Sequence, residues 1–369
     1  MSEYQYYEFQ AVERPLTPPE QNAVARLSSR VDPHPTRAVF TYSYSDFPGS
    51  PEAVLAKYYD ALFYIANWGS VQLAFRFPKA LIDVEQIRPY CVDTYLSCDV
   101  VDEYVIINFE RNEDAGFDDW IEGEGTLADL LPLREAILRR DYRVLYLAWL
   151  MASEDEYEVP EDTVEPPVPA GLGELSAPLK AFVDTFRVNA KMIAAAAAVS
   201  PPLQQTASRD MQKAAAGLSA DEQQSWLIRL ANDEPRLGVK FQRFLREKLP
   251  AGPAAADSAP RTVAELQQMA AEMRQKEAAR QKAAAEANRK RRMEALAPKA
   301  EEMWTAVDKL IQESKAKPYD EAVQLLIKLH DLAVYQGTES VYRDRLHRLR
   351  ATYSRRSALI QRLDRAGLT

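Results

Sequence analysis

Few residues in this 369-residue chain have types and spacing that suit chemistry. The two cysteines, Cys91 and Cys98, stand seven apart with no histidine beside them. That spacing does not make a zinc site, and they read as two small, burial-prone thiols. The histidines, His34, His330 and His347, are dispersed; His330 falls in an apolar-periodic segment and His347 in an arginine-rich one. Gly123 and Gly125 are not followed by the Gly-Lys-Ser/Thr that opens a phosphate loop, and no Gly-x-Ser-x-Gly elbow occurs. The acidic cluster Glu113, Asp114, Asp118, Asp119, Glu122 and Glu124 has oxygens that suit a hard divalent cation. With Tyr104 nearby it is where an enzyme site would lie, but the calcium-loop spacing is missing. It reads as a solvated loop, so no metal, cofactor or catalytic residue is expected.

The basic stretch is more informative. Between Arg274 and Arg292 there are eight Lys/Arg and two Glu, ending in the run Arg289-Lys290-Arg291-Arg292. On a helix, Lys282, Arg289 and Arg292 share one side, while Lys290 and Arg291 spread charge round it. Such a stripe can neutralise phosphates, so Lys282, Arg289, Lys290, Arg291 and Arg292 are candidate nucleic-acid contacts. No aromatic residue is interleaved, so base stacking is not expected. The competing reading is an exposed helix kept in water by its charges. Closer to the C-terminus, eight arginines lie among hydrophobic positions, and Arg345, Arg348 and Arg355 are candidate contacts for a partner protein.

The elements that must carry these residues follow from pattern. Tyr4–Phe9 and Val39–Tyr44 read as strands, and Val71-Gln72-Leu73-Ala74-Phe75-Arg76-Phe77 alternates with Val71, Leu73, Phe75 and Phe77 on one face. Thr17 with Glu20, and Ser219 with Glu222, have capping-box spacing. A helix is predicted from Ser50 to Ala66, stopped by Gly69, because its apolar residues recur at helical spacing. Thr94–Val100 and Tyr104–Phe109 read as a hairpin. Thr126 caps a helical run that Pro132 interrupts, and Tyr142–Met151 is helical.

The fold class is therefore an α+β N-terminal domain, a mixed sheet with packed helices, followed by mostly α-helical regions. One long charged helix and a small C-terminal helical module complete it. The expected boundaries are 1–152 for the acidic α+β domain, 153–172 for an acidic Pro-rich linker and 173–249 for a helical domain. A Pro/Ala linker then covers 250–261, the long basic helix 262–297, and the helical interaction module 298–369.

Charge divides along the same lines. Residues 1–172 hold 13 Lys+Arg against 31 Asp+Glu, residues 173–260 hold 11 against 9, and residues 261–369 hold 22 against 15. An acidic front and a basic tail suggest partners of opposite sign, or attraction between copies, although solvated faces would look the same. With 47% apolar and 27% charged residues, the chain has the balance of a soluble protein with a real core. No 18-residue apolar stretch occurs and the start lacks a basic region followed by an apolar one. A cytoplasmic location without membrane contact is expected.

Some stretches carry a resemblance. Tyr4-Gln5-Tyr6-Tyr7-Glu8-Phe9, Arg14-Pro15-Leu16-Thr17, Leu27-Ser28-Ser29-Arg30 and Ala66-Asn67-Trp68-Gly69 resemble a family of bacterial proteins with no assigned function. The tail, from Tyr319-Asp320-Glu321-Ala322-Val323 to Leu363-Asp364-Arg365-Ala366-Gly367-Leu368, is similar to the helical end of some bacterial SWIM-type zinc-finger proteins. The zinc-binding Cys and His of those fingers are absent here, so what the resemblance implies is a helical docking module without metal. The expected function is a non-catalytic adaptor or accessory subunit of a bacterial multiprotein assembly, bound to another protein through its N-terminal domain and C-terminal module. The alternative is a nucleic-acid-binding accessory factor, of a defence or DNA/RNA-processing system, that uses the helix 274–292. Oligomeric state is not legible.

Overall fold

Seven short strands form one sheet in a computed structural model that describes residues 3–28, 31–112, 123–203, 212–234, 236–248 and 260–368. The strands are β1 (Gln5–Gln10), β2 (Asp32–Pro33), β3 (Arg37–Tyr42), β4 (Ala61–Ala66), β5 (Val71–Pro78), β6 (Leu96–Val101) and β7 (Tyr104–Arg111). Their order is β2-β3-β1-β4-β5-β7-β6. The α+β class holds, but the sheet is antiparallel at every pairing and not mixed. The reason is topological. The crossover from β3 to β4 joins two strands of like direction, yet β1 inserts between them and pairs antiparallel with both.

The crossover helix, α2, is Pro51–Tyr58, with the Ser50 hydroxyl accepting from Ala53 N–H at 3.1 Å. The helix expected to continue to Ala66 ends there instead, and Leu62, Phe63 and Ile65 belong to β4. This strand is covered on both faces, so every residue in it is apolar and the period of two disappears. What remains mimics helical spacing. Tyr7, Phe9, Phe40, Leu62 and Ala74 face one layer with Leu55 and Tyr59, while Phe63, Leu73, Phe75, Phe77 and Phe109 face the other.

Helices α4 (Thr126–Leu130), α5 (Pro132–Leu138), α6 (Arg143–Ala152), α7 (Ala177–Thr185) and α8 (Ala190–Ala197) build that second layer; α1 is Pro18–Ala25 and α3 the single turn Val84–Ile87. The Glu20 carboxylate accepts from Thr17 N–H at 2.7 Å, completing the first capping box. Thr126 is the first residue of α4, and its N-cap is Gly125 at φ 86°, a left-handed backbone that glycine adopts without strain. Two residues earlier Gly123 lies against Tyr6, whose ring Cδ1 would sit 2.3 Å from an added Cβ.

The segment 153–172, expected as an acidic Pro-rich linker, is folded onto this layer. Val159 and Leu172 are buried, and Val164 bridges Thr262. Glu165 accepts from Arg261 at 2.7 and 2.8 Å and from the Tyr146 hydroxyl. The Glu165–Arg261 pair and the burial of Val159 and Leu172 hold the run against the layer instead of letting it extend. No core boundary therefore falls at 152, and one cluster runs from Tyr6 to Ala270.

The chain divides into two compact units, Met1–Arg274 and Gln275–Thr369. In the first, α9 (Ala220–Ala231) and α10 (Leu237–Lys248) follow, with the Ser219–Glu222 capping box formed. Helix α11 (Val263–Leu296) crosses the division. The second unit packs α12 (Ala300–Gln312), α13 (Ala316–Gln336), α14 (Glu339–Thr352) and α15 (Ser357–Arg365) about Val307, Leu326, Leu346 and Leu359. Gly337, at φ 67°, ends α13 as its position in the sequence suggests.

Candidate binding surfaces

Cys91 and Cys98 are free, half-buried thiols. Burial, and then Asp93 and Asp99, push Cys91 up to about 11; burial, and then Cys91 and Asp99, push Cys98 up to about 12. Neither is a thiolate near neutral pH. His34, His330 and His347 are exposed. Among the described residues no three His, Cys, Asp or Glu side chains are grouped to hold a metal ion. Glu113, Asp114, Asp118, Asp119 and Glu122 lie outside the described residues; Glu124 is exposed, and Tyr104 lies under the Arg76 guanidinium at 4.4 Å.

A polar cleft of about 470 Å³ opens at the end of β7, lined by Tyr95, Arg111, Glu154, Asp155 and Tyr157. Its polar groups are turned on one another: the Tyr95 hydroxyl donates to Asp155 at 3.0 Å, and Arg111 donates to the carbonyls of Phe186 and Arg187 at 2.5 and 2.9 Å. Burial raises the Glu154 carboxyl. The arrangement braces β7 against the end of α7.

The second surface is apolar and lies on α9 and α10. Trp226 packs on Phe241 and Phe244, with ring centroids 4.9 and 5.3 Å away, and carries the Arg229 guanidinium at 3.9 Å. Arg229 and Lys240 both hold Glu234, at 2.6 and 2.7 Å, tying the two helices together. Beside this staple is a groove of about 440 Å³ lined by Leu218, Trp226, Leu230, Leu237 and Phe241. Leu227, Ile228 and Leu230 are 64%, 53% and 61% exposed on the same helix. The apolar spacing of α9 is legible in the sequence; that its face stays open is not.

The third surface is the basic helix. Lys282, Arg289, Lys290, Arg291 and Arg292 are exposed, as is every residue from Arg274 to Arg292. Lys290 approaches Glu294 only loosely, at 3.9 Å. The three arginines proposed for a protein partner have unlike settings. Arg345 clasps Glu301 with two bonds of 2.6 and 2.9 Å and covers Trp304 at 4.5 Å, so it joins α14 to α12. Arg348 is exposed and donates to the Asp344 carbonyl at 3.3 Å; Arg355 is exposed. Arg350 and Arg362 are used as Arg345 is, on Asp364 and Asp320. Charge reversal should separate these roles. Arg345→Glu should lower the melting temperature of the second unit and Arg355→Glu should leave it unchanged, read by far-UV circular dichroism. Equal melting of the two variants would contradict the assignment.

A buried ionic network was not legible as a group. Asp60 accepts from Val12 N–H, Glu13 N–H and Arg76 at 2.7, 2.8 and 2.8 Å. Arg134 donates to Glu13 at 2.6 Å and to the Arg76 carbonyl at 2.8 and 3.1 Å, and lies over Phe77. Arg236 adds a second cation to Glu13 at 2.7 Å. The signal available beforehand was Arg76, a lone charge in an apolar strand; Arg134, beside Glu135, gave none. Arg76 also donates to the Ala56 carbonyl and Arg236 to Glu135, so the charges are engaged with protein partners and the network is a brace.

Comparison with protein-family models, characterised proteins and solved structures finds no match to the chain. Among the described residues no helix is long and apolar enough to cross a membrane.

Proposed function

We propose that this protein is a non-catalytic adaptor, an accessory subunit that seats a protein partner on the open apolar face of α9 and α10. The observation that carries the reading is the exposure of Leu227 and Leu230, which line the Trp226–Phe241 groove. Apolar surface left in water forgoes about 25 cal/mol per Å² that burial would return, so a rimmed apolar groove of this kind marks a contact site. An aromatic anchor inside a groove, with charged residues at its edge, is the anatomy of an interaction hot spot. The Arg229–Glu234–Lys240 bridge supports it by holding α9 and α10 in one geometry before a partner arrives.

The test compares the full-length chain with a Leu227→Asp, Leu230→Asp variant as bait in its host extract after nuclease treatment. Both positions are exposed, so the helix tolerates the charges. One protein should be recovered in near-stoichiometric yield by the wild type and lost with the variant. Equal recovery with both baits, or none with the wild type, would remove this face from the function.

A further inference from the structure

We propose that residues 274–292 of α11 bind B-form duplex DNA by lying along its major groove, with two rows of cations facing the two phosphate backbones. The stretch is exposed residue by residue, bounded by half-buried Met273 and buried Met293. At 1.5 Å per residue it is about 27 Å long, which matches about eight base pairs. Its charges are not scattered. Turning about 100° per residue places Arg274, Lys282, Arg289 and Arg292 within one sector of about 80°. Lys276, Arg280 and Arg291 fall in a second sector roughly 160° away. The two acidic residues, Glu277 and Glu286, fall between the rows.

Cations on opposite sides of a bare helix suit a particular partner. A flat acidic protein surface meets one row and leaves the other in water. A membrane surface wants an apolar side, and between Arg274 and Arg292 the only apolar residue type is alanine. Single strands are held largely by stacking on aromatic side chains, and there are none. The major groove of B-DNA is about 12 Å wide, admits one α-helix of 10–12 Å diameter, and has phosphates on both walls. The A-form groove is too narrow for this, so duplex RNA is not the partner. Between the rows, on the side away from Lys290, lie Glu277, Gln281, Ala284 and Asn288: the small and amide side chains let the backbone approach base edges, and the one carboxylate can accept from a cytosine amino group. Since the chain carries a net −9, attraction to DNA would be confined to this helix and would not come from the protein as a whole.

The experiment is fluorescence anisotropy of the full-length chain against a labelled 20-base-pair DNA duplex at increasing salt. Two variants accompany it, one with Arg274, Lys282, Arg289 and Arg292 changed to Ala, the other with Lys276, Arg280 and Arg291 changed to Ala. Alanine is the best helix former, so the helix survives both, and circular dichroism checks it. The wild type should bind with log K falling about 0.9 per phosphate contact in log salt, a slope of about −5 to −6. Each row variant should flatten the slope by about two to four and weaken binding at least tenfold at 0.1 M salt. Absence of duplex binding, equal binding to single strands, duplex RNA or phosphatidylserine vesicles, or loss confined to one row would each overturn the proposal. These readouts leave the α9–α10 face untouched, so failure here is distinct from failure of the adaptor reading.

Discussion

Replacing Arg134 with Ala should destabilise the first unit by about 3–5 kcal/mol, the cost of removing one partner from a buried ion pair. The side chain is 2% exposed, and its guanidinium fills the space between Glu13, the Arg76 carbonyl and the Phe77 ring. Alanine would leave a carbonyl without its donor and a void beside Phe77. Burial pulls the Arg134 guanidinium below its ordinary value, and Glu13 and Asp60 offset only part of that pull. The carboxylates carry a pH signature. Burial alone would push Glu13 up, but hydrogen bonds from Arg236 and Arg134 outweigh it and hold the group below its ordinary 4.5. Asp60 is likewise pushed up by burial, yet held below 3.8 by the Glu13 and Val12 N–H groups and by Arg76. A depressed carboxyl stabilises the fold above its unfolded value and loses that contribution as pH falls through the folded one. Urea unfolding followed by tryptophan fluorescence should show stability flat near neutrality and falling below about pH 4.5, less steeply in Arg134→Ala. An unchanged unfolding midpoint in Arg134→Ala would show that the network is ornamental.

Leu326→Ala should cost the second unit about 2–5 kcal/mol and shift its melting by at least about 10 °C. Leu326 is fully buried at the centre of α13, and its carbonyl takes the Tyr342 hydroxyl at 3.0 Å. The core it shares with Val307, Leu346, Leu349 and Leu359 is built from residues of the second unit. The shift should therefore appear in one melting transition and spare the other in differential scanning calorimetry. A single transition moving as a whole would mean that the units unfold together.

The sequence by itself determined whatever depends on neighbours within a turn or a strand. The Thr17–Glu20 and Ser219–Glu222 boxes, the alternation in β5, the stop at Gly337 and the length of α11 rest on groups at most four residues apart, or on a repeat of their chemistry. So does the exposure of the basic helix, since Ala, Lys and Arg offer no apolar stripe to bury. Only the tertiary structure decided β4, because a strand covered on both faces keeps no polar side to mark its period. It alone placed 153–172, which reads as an acidic Pro-rich linker until Arg261 is brought to Glu165, 96 residues away. It alone turned Arg345 from a candidate contact into a clasp on Glu301. It alone assembled the network on Glu13, whose cations come from 121 and 223 residues along the chain. A charge pair is a matter of distance in space, and spacing along a chain reports that distance only within one element.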